Sequence, residues 1–186
     1  MNNYNIPFFR LPMSSFSYCL YLLLCTGIFT ACEADEPLVL EDDDNMTVME
    51  ESAAPADFQK LLNLVNDIRI TGCRCGTEDM PTVGQLRWNS LLAAAAEQHS
   101  KDMANNEHFD HSGTDGSSAG DRIQQQGYNW QTYGENIAFG YSSATKVFQA
   151  WLDSPGHCRN MMNANFEEMG AAVVDRYWTQ EFARAF

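Results

Sequence analysis

Four short motifs in the second half of this 186-residue chain constrain its fold more than any other feature. They read Phe-Asp-His-Ser at 109–112, Gly-Glu-Asn-Ile-Ala at 134–138, Trp-Leu-Asp-Ser-Pro-Gly-His at 151–157 and Tyr-Trp-Thr-Gln at 177–180. A triplet such as Gly-Glu-Asn or Pro-Gly-His occurs by chance in unrelated chains, so the information lies in the ordered set. The first and third motifs each end in or contain a histidine, and only a fold can bring these two residues together.

Residue spacing predicts helices followed by a late hairpin in one domain that begins near Phe58. Asp57 is a candidate N-cap and Gly72 a stop signal for the first helix, and Asn89 is a candidate N-cap for the second. Further helices are expected at 121–126, at 144–152 after Ser142 or Ser143, and from Pro155, with strands at 128–139, 169–174 and 177–186. The pattern indicates an α+β domain with an antiparallel sheet.

In this order the four motifs resemble the CAP superfamily (cysteine-rich secretory protein, antigen 5 and pathogenesis-related 1) in its compact bacterial form. The resemblance covers about residues 58–186. It implies a three-layer α-β-α sandwich with a central antiparallel sheet and a surface cleft beside that sheet.

The resemblance also implies a site. In CAP domains the residues matching His111 and His157 line the cleft with two acidic residues and can bind a divalent metal such as zinc. Glu135 is expected either to accept a hydrogen bond from metal-bound water or to orient a histidine. Many eukaryotic relatives carry a second glutamate after the helix tryptophan. Here Asp153 substitutes for it only if it faces the cleft, and a helix start near Pro155 directs it towards solvent.

Three functions are compatible with these residues. The favoured one is a binding module whose cleft holds a divalent metal and a small lipid-like or glycan ligand, by analogy with relatives that bind sterols or lipids. The second is a metal-dependent hydrolase, a peptidase or esterase, in which Glu135 is the catalytic residue that activates metal-bound water. The third is a structural or interaction protein with a vestigial site, in which His111 and His157 only hydrogen-bond across the cleft.

The N-terminal third predicts export and membrane anchoring. Residues 1–31 have the features of a signal peptide, with an apolar run at 18–29 that ends in a lipoprotein-type box before Cys32. Lipidated Cys32 would anchor the protein in the cell envelope, whereas ordinary cleavage after Ala31 would leave a free thiol there. Residues 32–57 are expected to be a disordered tether, because they carry ten acidic and no basic residues. Such a tether is compatible with a surface lipoprotein and equally with a plain spacer.

Charge excludes one class of partner. The net charge is −14, but residues 58–186 carry fifteen acidic and ten basic residues and are only mildly acidic. No stripe of lysine or arginine is available to contact a phosphate backbone, so a nucleic acid is not expected as a partner.

Six cysteines are present, of which three fall in the predicted domain: Cys73, Cys75 and Cys158. An exported domain is expected to form a disulfide. We expect the two side chains of the Cys-Arg-Cys segment to point to opposite faces of an extended strand, so that only one of them faces Cys158. A strained Cys73–Cys75 bridge and a zinc site built from the three thiolates and a histidine remain alternatives.

Overall fold

The structure, a computed structural model, describes residues 54–186, so the predicted signal peptide, Cys32 and nearly all of the tether lie outside the described residues. Within this range no helix is long and apolar enough to cross a membrane. The elements in chain order are α1 (Ala56–Thr71), β1 (Cys73–Cys75), β2 (Glu78–Met80), β3 (Arg87–Trp88), α2 (Ser90–Asn106), α3 (Ala119–Gln125), β4 (Trp130–Phe139), α4 (Ala144–Asp153), α5 (Pro155–Met161), β5 (Glu168–Val174) and β6 (Tyr177–Ala185).

Local capping chemistry explains most helix boundaries. The Asn89 side chain accepts hydrogen bonds from two backbone N–H groups of α2, the Ser143 hydroxyl caps α4, and Pro155 occupies the first position of α5, as predicted. The prediction for Asp57 is wrong, because α1 begins at Ala56 after Pro55, which makes no side-chain cap. Asp57 lies instead in the first turn, where a negative charge favours the helix dipole.

The predicted α+β fold with three α-β-α layers is confirmed. The central sheet has the order β3-β5-β6-β4, in which the three long strands pair antiparallel and the two-residue strand β3 runs parallel to β5. Helices α1, α4 and α5 enclose the larger core on one face, and α2 and α3 pack on the other face. Strand β4 is an edge strand, which makes it accessible from both layers.

One glycine explains how closely α2 packs on the sheet. A Cβ at Gly170 in β5 would lie 2.1 Å from the backbone nitrogen of Ala93 in α2. Only glycine, which has no side chain, allows the backbones of α2 and β5 to come this close. The close packing brings the buried face of α2 directly onto strands β5 and β6.

The disulfide predicted between Cys158 and one of the other two cysteines forms with Cys75. The expectation that Cys73 and Cys75 point to opposite faces is wrong. Residues i and i+2 of a strand share a face, and it is the intervening Arg74 that points outwards. The Sγ atom of Cys73 therefore lies 3.9 Å from the Sγ atoms of both Cys75 and Cys158.

Candidate functional site

The Gly-Glu-Asn motif lies in the edge strand β4, and its three residues do different things. A Cβ at Gly134 would lie 2.7 Å from the ring of Phe166, so this position accepts only glycine without a shift of the ring. Glu135 and Asn136 follow on alternate faces of the strand. Among residues 54–186 no strand pairs with the outer side of β4, so groups from both faces can meet around it.

Glu135 is buried and both of its carboxylate oxygens are engaged. His111 donates from Nδ1 to Oε1 over 2.6 Å, and Arg122 donates to Oε2 over 2.6 Å. Burial disfavours the charged form of Glu135, but the His111 hydrogen bond and the Arg122 charge outweigh it and lower the pKa of this carboxyl. Glu135 is therefore a fixed, ionised acceptor at neutral pH.

Arg122 is the buried cation that holds this arrangement together, and sequence reasoning missed it. The residue is 1% exposed in α3, a helix that Ser118 and Asp121 fix through a capping box. Besides Glu135, its guanidinium donates to the carbonyl oxygens of Ser117 and His111, over 2.9 and 3.1 Å. Arg122 thus fixes the position of the His111 backbone as well as that of the Glu135 carboxylate.

His111 lies at the surface with its imidazole oriented by Glu135. Its side chain is 58% exposed, and its Nε2 atom has no hydrogen-bond partner among residues 54–186. The hydrogen bond to Glu135 raises the pKa of His111, and burial opposes this only in part. Because Nδ1 carries the proton that is donated to Glu135, Nε2 of the neutral ring has a free lone pair.

Asn136 positions the second histidine from the other face of β4. It is fully buried, and its amide donates to the backbone oxygen of His157 over 3.2 Å and to Gln180 over 3.1 Å. Its carbonyl accepts from Asn160 over 3.0 Å, so two residues of α5 are attached to it. The motif therefore places both cleft histidines: Glu135 orients the ring of His111, and Asn136 holds the backbone of His157.

His157 is half-buried, and its ring makes no hydrogen bond to the described residues. Burial lowers the pKa of His157, and the nearby charge of His111 lowers it further. The donor set, two imidazoles of which one is held by a carboxylate, fits a divalent cation such as zinc with water completing its coordination.

Asp153 does not contribute to the site formed by these two histidines. Asp153 is exposed and accepts a hydrogen bond from Gln149, one turn earlier in α4, over 2.8 Å. Within residues 54–186, the one group of three or more histidine, cysteine or acidic ligand atoms that lie mutually within 4.8 Å is that of the three cysteines. The arrangement around β4 is accordingly a two-histidine site with Glu135 behind it.

Two further buried titratable residues lie behind the site. Glu181 pairs with Glu135 in the β4–β6 register and is fully buried. Burial, the Glu135 charge and a hydrogen bond between the two carboxyl groups raise its pKa well above the ordinary value. His99 is a core histidine whose Nε2 donates to the Asp110 carbonyl over 2.9 Å, and burial lowers its pKa. Sequence reasoning missed Glu181; its one sequence signal is strand alternation, because it lies two residues after Thr179 and shares its face.

Two apolar features could contact a larger ligand. A cavity of about 820 Å³ lies away from the histidines, between the starts of α1, α2 and α4 and strand β5, with Phe58, Trp88 and Trp178 in its walls. The second feature is an aromatic surface formed by the rings of Phe109 and Phe139, which are 52% and 46% exposed. Both pack against Tyr177, with ring centroids 6.4 and 4.4 Å apart.

Comparisons with known proteins agree with the fold and the motifs. The sequence profile of the CAP family, the Cysteine-rich secretory protein family, matches residues 62–182. The membrane protein YlbC of Bacillus subtilis (strain 168) is 30% identical over 126 residues, which are 68% of this chain and 34% of that protein.

Solved structures show the same likeness. An extracellular protein of Bacillus anthracis that contains an SCP domain is 35% identical with a TM-score of 0.58, over 68% of this chain and 39% of its own. An outer surface protein of Borrelia burgdorferi, at 18% identity and a TM-score of 0.59 over 70% of this chain and 93% of its own, shares the fold. This chain spans only 34% of the length of YlbC and 39% of that of the B. anthracis chain.

Proposed function

We propose that this chain, which belongs to the cysteine-rich secretory protein (CAP) family, is an exported binding module that holds a divalent cation between His111 and His157. The observation that carries this proposal is the double engagement of Glu135, with His111 on one oxygen and Arg122 on the other. A carboxylate behind a histidine ring is the arrangement that orients histidine ligands in metal proteins.

The residues divide the work of binding. Nε2 of His111 and a ring nitrogen of His157 would be the protein ligands, and Glu135 would fix the tautomer of His111. Bound zinc would supply a Lewis acid with open positions for water or a ligand atom. Arg122 keeps Glu135 ionised and anchors the loop that carries His111.

The same contacts disfavour a hydrolase in which Glu135 is the general base. A general base must reach a water molecule and accept its proton, and efficient bases have a pKa near the operating pH. Glu135 is buried, its two oxygens are already occupied, and its pKa is lowered. Glu181 is no substitute, since it is completely enclosed. These constraints favour binding over turnover.

A lipid-like or glycan ligand fits the surroundings of the histidines. The exposed ring of Phe109 lies two residues before His111 in the chain, and the exposed ring of Phe139 is on the strand face of Glu135, four residues along β4. Aromatic faces pack against lipid chains and against the apolar faces of sugars. We propose that such a ligand lies on this aromatic surface with a polar group directed at the cation.

Export and anchoring through Cys32 are part of the same proposal. Similar proteins are an extracellular protein of B. anthracis and a membrane protein of B. subtilis. The apolar run, the box before Cys32 and the acidic residues 33–57 support a lipoprotein of the bacterial cell envelope whose domain is held off the membrane.

The Glu135→Ala variant separates binding from catalysis. If Glu135 orients His111, the zinc affinity of the variant measured by calorimetry should be about 10- to 100-fold lower than that of the wild type. Under this hypothesis neither protein shows esterase or peptidase activity. If Glu135 is a general base, a hydrolytic rate in the wild type should fall by about 100- to 10,000-fold with zinc still bound. The second pattern would overturn the binding module.

Glu135→Gln is the matched control, because it keeps an acceptor for His111 and removes only the charge. Its zinc affinity should lie between those of the wild type and Glu135→Ala. Circular dichroism of each variant shows whether the fold is retained, so that a loss of affinity is not mistaken for unfolding.

A further inference from the structure

Three sulfur atoms meet where α5 packs against the β1–β2 hairpin. Cys75 and Cys158 form the disulfide, and both are buried. Cys73 is a half-buried free thiol whose Sγ lies 3.9 Å from each bridged sulfur. Because the Cys73 sulfur is equally far from both bridged sulfurs, it lies beside the S–S bond, and a rotation of the Cys73 side chain within this small apolar cluster would bring it into line for attack.

We propose that Cys73, Cys75 and Cys158 form a thiol–disulfide exchange site that interconverts two disulfide isomers, Cys75–Cys158 and Cys73–Cys158. The Cys73 thiolate attacks Sγ of Cys158, the Cys73–Cys158 bond forms, and the Cys75–Cys158 bond breaks. The electron pair of the broken bond leaves on Cys75, which then takes up the proton that Cys73 lost. One disulfide and one thiol are present before and after, so no oxidant or reductant is consumed.

Chain geometry selects Cys158 as the sulfur attacked. Attack on Cys75 would join residues i and i+2 of strand β1, whose Cα atoms in an extended strand lie about 6.6 Å apart, at the upper limit for a disulfide. The Cys73–Cys158 bridge instead spans 85 residues, against 83 for the observed bridge. Because loop-closure entropy depends only on the logarithm of loop length, it leaves the two isomers almost equal.

Packing and charge determine the equilibrium between the two disulfide isomers and the rate of exchange. Cys75 is 1% exposed and Cys73 is half-buried, so the observed isomer leaves the more exposed sulfur as the thiol. Burial raises the pKa of Cys73. The basic side chains of the surrounding elements are paired, Arg74 with Asp79 over 3.6 Å and Arg159 with Glu78 over 3.9 Å, so neither is free to stabilise a thiolate. Exchange should therefore be slow at neutral pH and accelerate as the pH rises.

The position of the bridge links this chemistry to α5. Cys158 directly follows His157, and both lie in the seven-residue helix α5. A change of bridge partner from Cys75 to Cys73 moves the attachment point of α5 along β1 by two residues. The proposal needs no metal and does not depend on the proposed function, so it is tested in the presence of a chelator.

The experiment uses the oxidised full chain with the changes Cys19→Ser, Cys25→Ser and Cys32→Ser, so that Cys73, Cys75 and Cys158 are the cysteines that remain. It is incubated at about pH 6.5, 7.5 and 8.5, quenched in acid with denaturant, labelled with a maleimide and mapped by mass spectrometry without reduction. The expected result is a label mainly on Cys73, with a fraction on the order of 1–10% on Cys75 that appears faster at higher pH. A label confined to Cys73 at every pH and time would overturn the proposal.

Two serine variants complete the test. Cys75→Ser should form the Cys73–Cys158 bridge in a domain whose circular dichroism matches the wild type. Cys73→Ser should keep the Cys75–Cys158 bridge and show no label on Cys75 or Cys158. A folded Cys75→Ser variant in which Cys73 and Cys158 both remain thiols after oxidation would contradict the proposal. If that variant does not fold, the wild-type labelling decides.

Discussion

Arg122→Met removes the buried cation behind the site and leaves a side chain of similar length. The wild-type guanidinium donates to Oε2 of Glu135 over 2.6 Å and to the carbonyl oxygens of Ser117 and His111. The variant therefore leaves the Glu135 carboxylate buried without its cation, with the His111 hydrogen bond over 2.6 Å and His99 at 3.8 Å from Oε2. We expect loss of stability and loss of the orientation of His111 together.

The magnitude follows from the burial of both partners. The side chains of Arg122 and Glu135 are 2% and 4% exposed, and removing one partner of a buried ion pair costs about 3–5 kcal/mol. Arg184→Met is the matched control, because Arg184 and Glu167 form an ion pair in which both side chains are 48% exposed. Breaking that surface pair should cost about 0–1 kcal/mol.

Urea unfolding followed by tryptophan fluorescence measures both variants against the wild type. The lowered pKa of Glu135 fixes the pH dependence: its contribution is present above the unfolded-state pKa of about 4.3 and is lost as the pH falls through the folded-state pKa. The difference in the free energy of unfolding between the wild type and Arg122→Met should therefore decrease in acid. Adding Glu135→Gln to Arg122→Met should restore part of the stability, because no buried charge is then left unpaired. A loss below about 1 kcal/mol, equal to that of the surface control, would refute the reasoning.

Four further outcomes are expected. Gly134→Ala should lose about 1–3 kcal/mol in urea unfolding, since the new methyl group overlaps a phenylalanine ring, and wild-type stability would show that the ring shifts freely. Cys158→Ala should lose at most about 4–5 kcal/mol under oxidising conditions and almost nothing relative to the reduced wild type; an equal loss against both would point to packing instead. In NMR titrations of the metal-free domain, His111 should titrate above 6.5 and His157 below it, and the reverse order would contradict the described contacts. Cys32→Ser should move the protein from the membrane fraction to the soluble fraction, whereas unchanged membrane association would exclude the lipid anchor.

Much of the fold could be predicted because its signals are local. The Asn89 cap, the Ser143 cap and Pro155 each act on backbone groups within four residues, so sequence alone places the N-terminal ends of α2, α4 and α5. The pairing of β3 with β5 depends instead on contacts about 80 residues apart. The error over Cys73 and Cys75 was avoidable, since the two-residue period of a strand places both on one face.

The site was predictable only in its motif residues. His111, Glu135 and His157 stand in recognisable motifs, and the structure brings them to one edge of the sheet. Arg122 and Glu181 have no motif of their own, and their roles arise from the packing of α3 and β6 around Glu135. Whether Glu135 is a base or an orienting group depends on what occupies its two oxygens, which only tertiary structure shows.

Zinc titration of the purified full chain tests the central claim most directly, with His111→Ala and His157→Ala compared against His108→Gln. His108 lies in the same loop and hydrogen-bonds the Ser112 carbonyl over 3.0 Å, so its replacement controls for changes in the loop. The account predicts one zinc ion per wild-type chain by calorimetry and elemental analysis, the same for His108→Gln, and loss of most of the affinity in each cleft variant. Equal zinc binding by the wild type and both cleft variants, or no binding by the folded wild type, would contradict it.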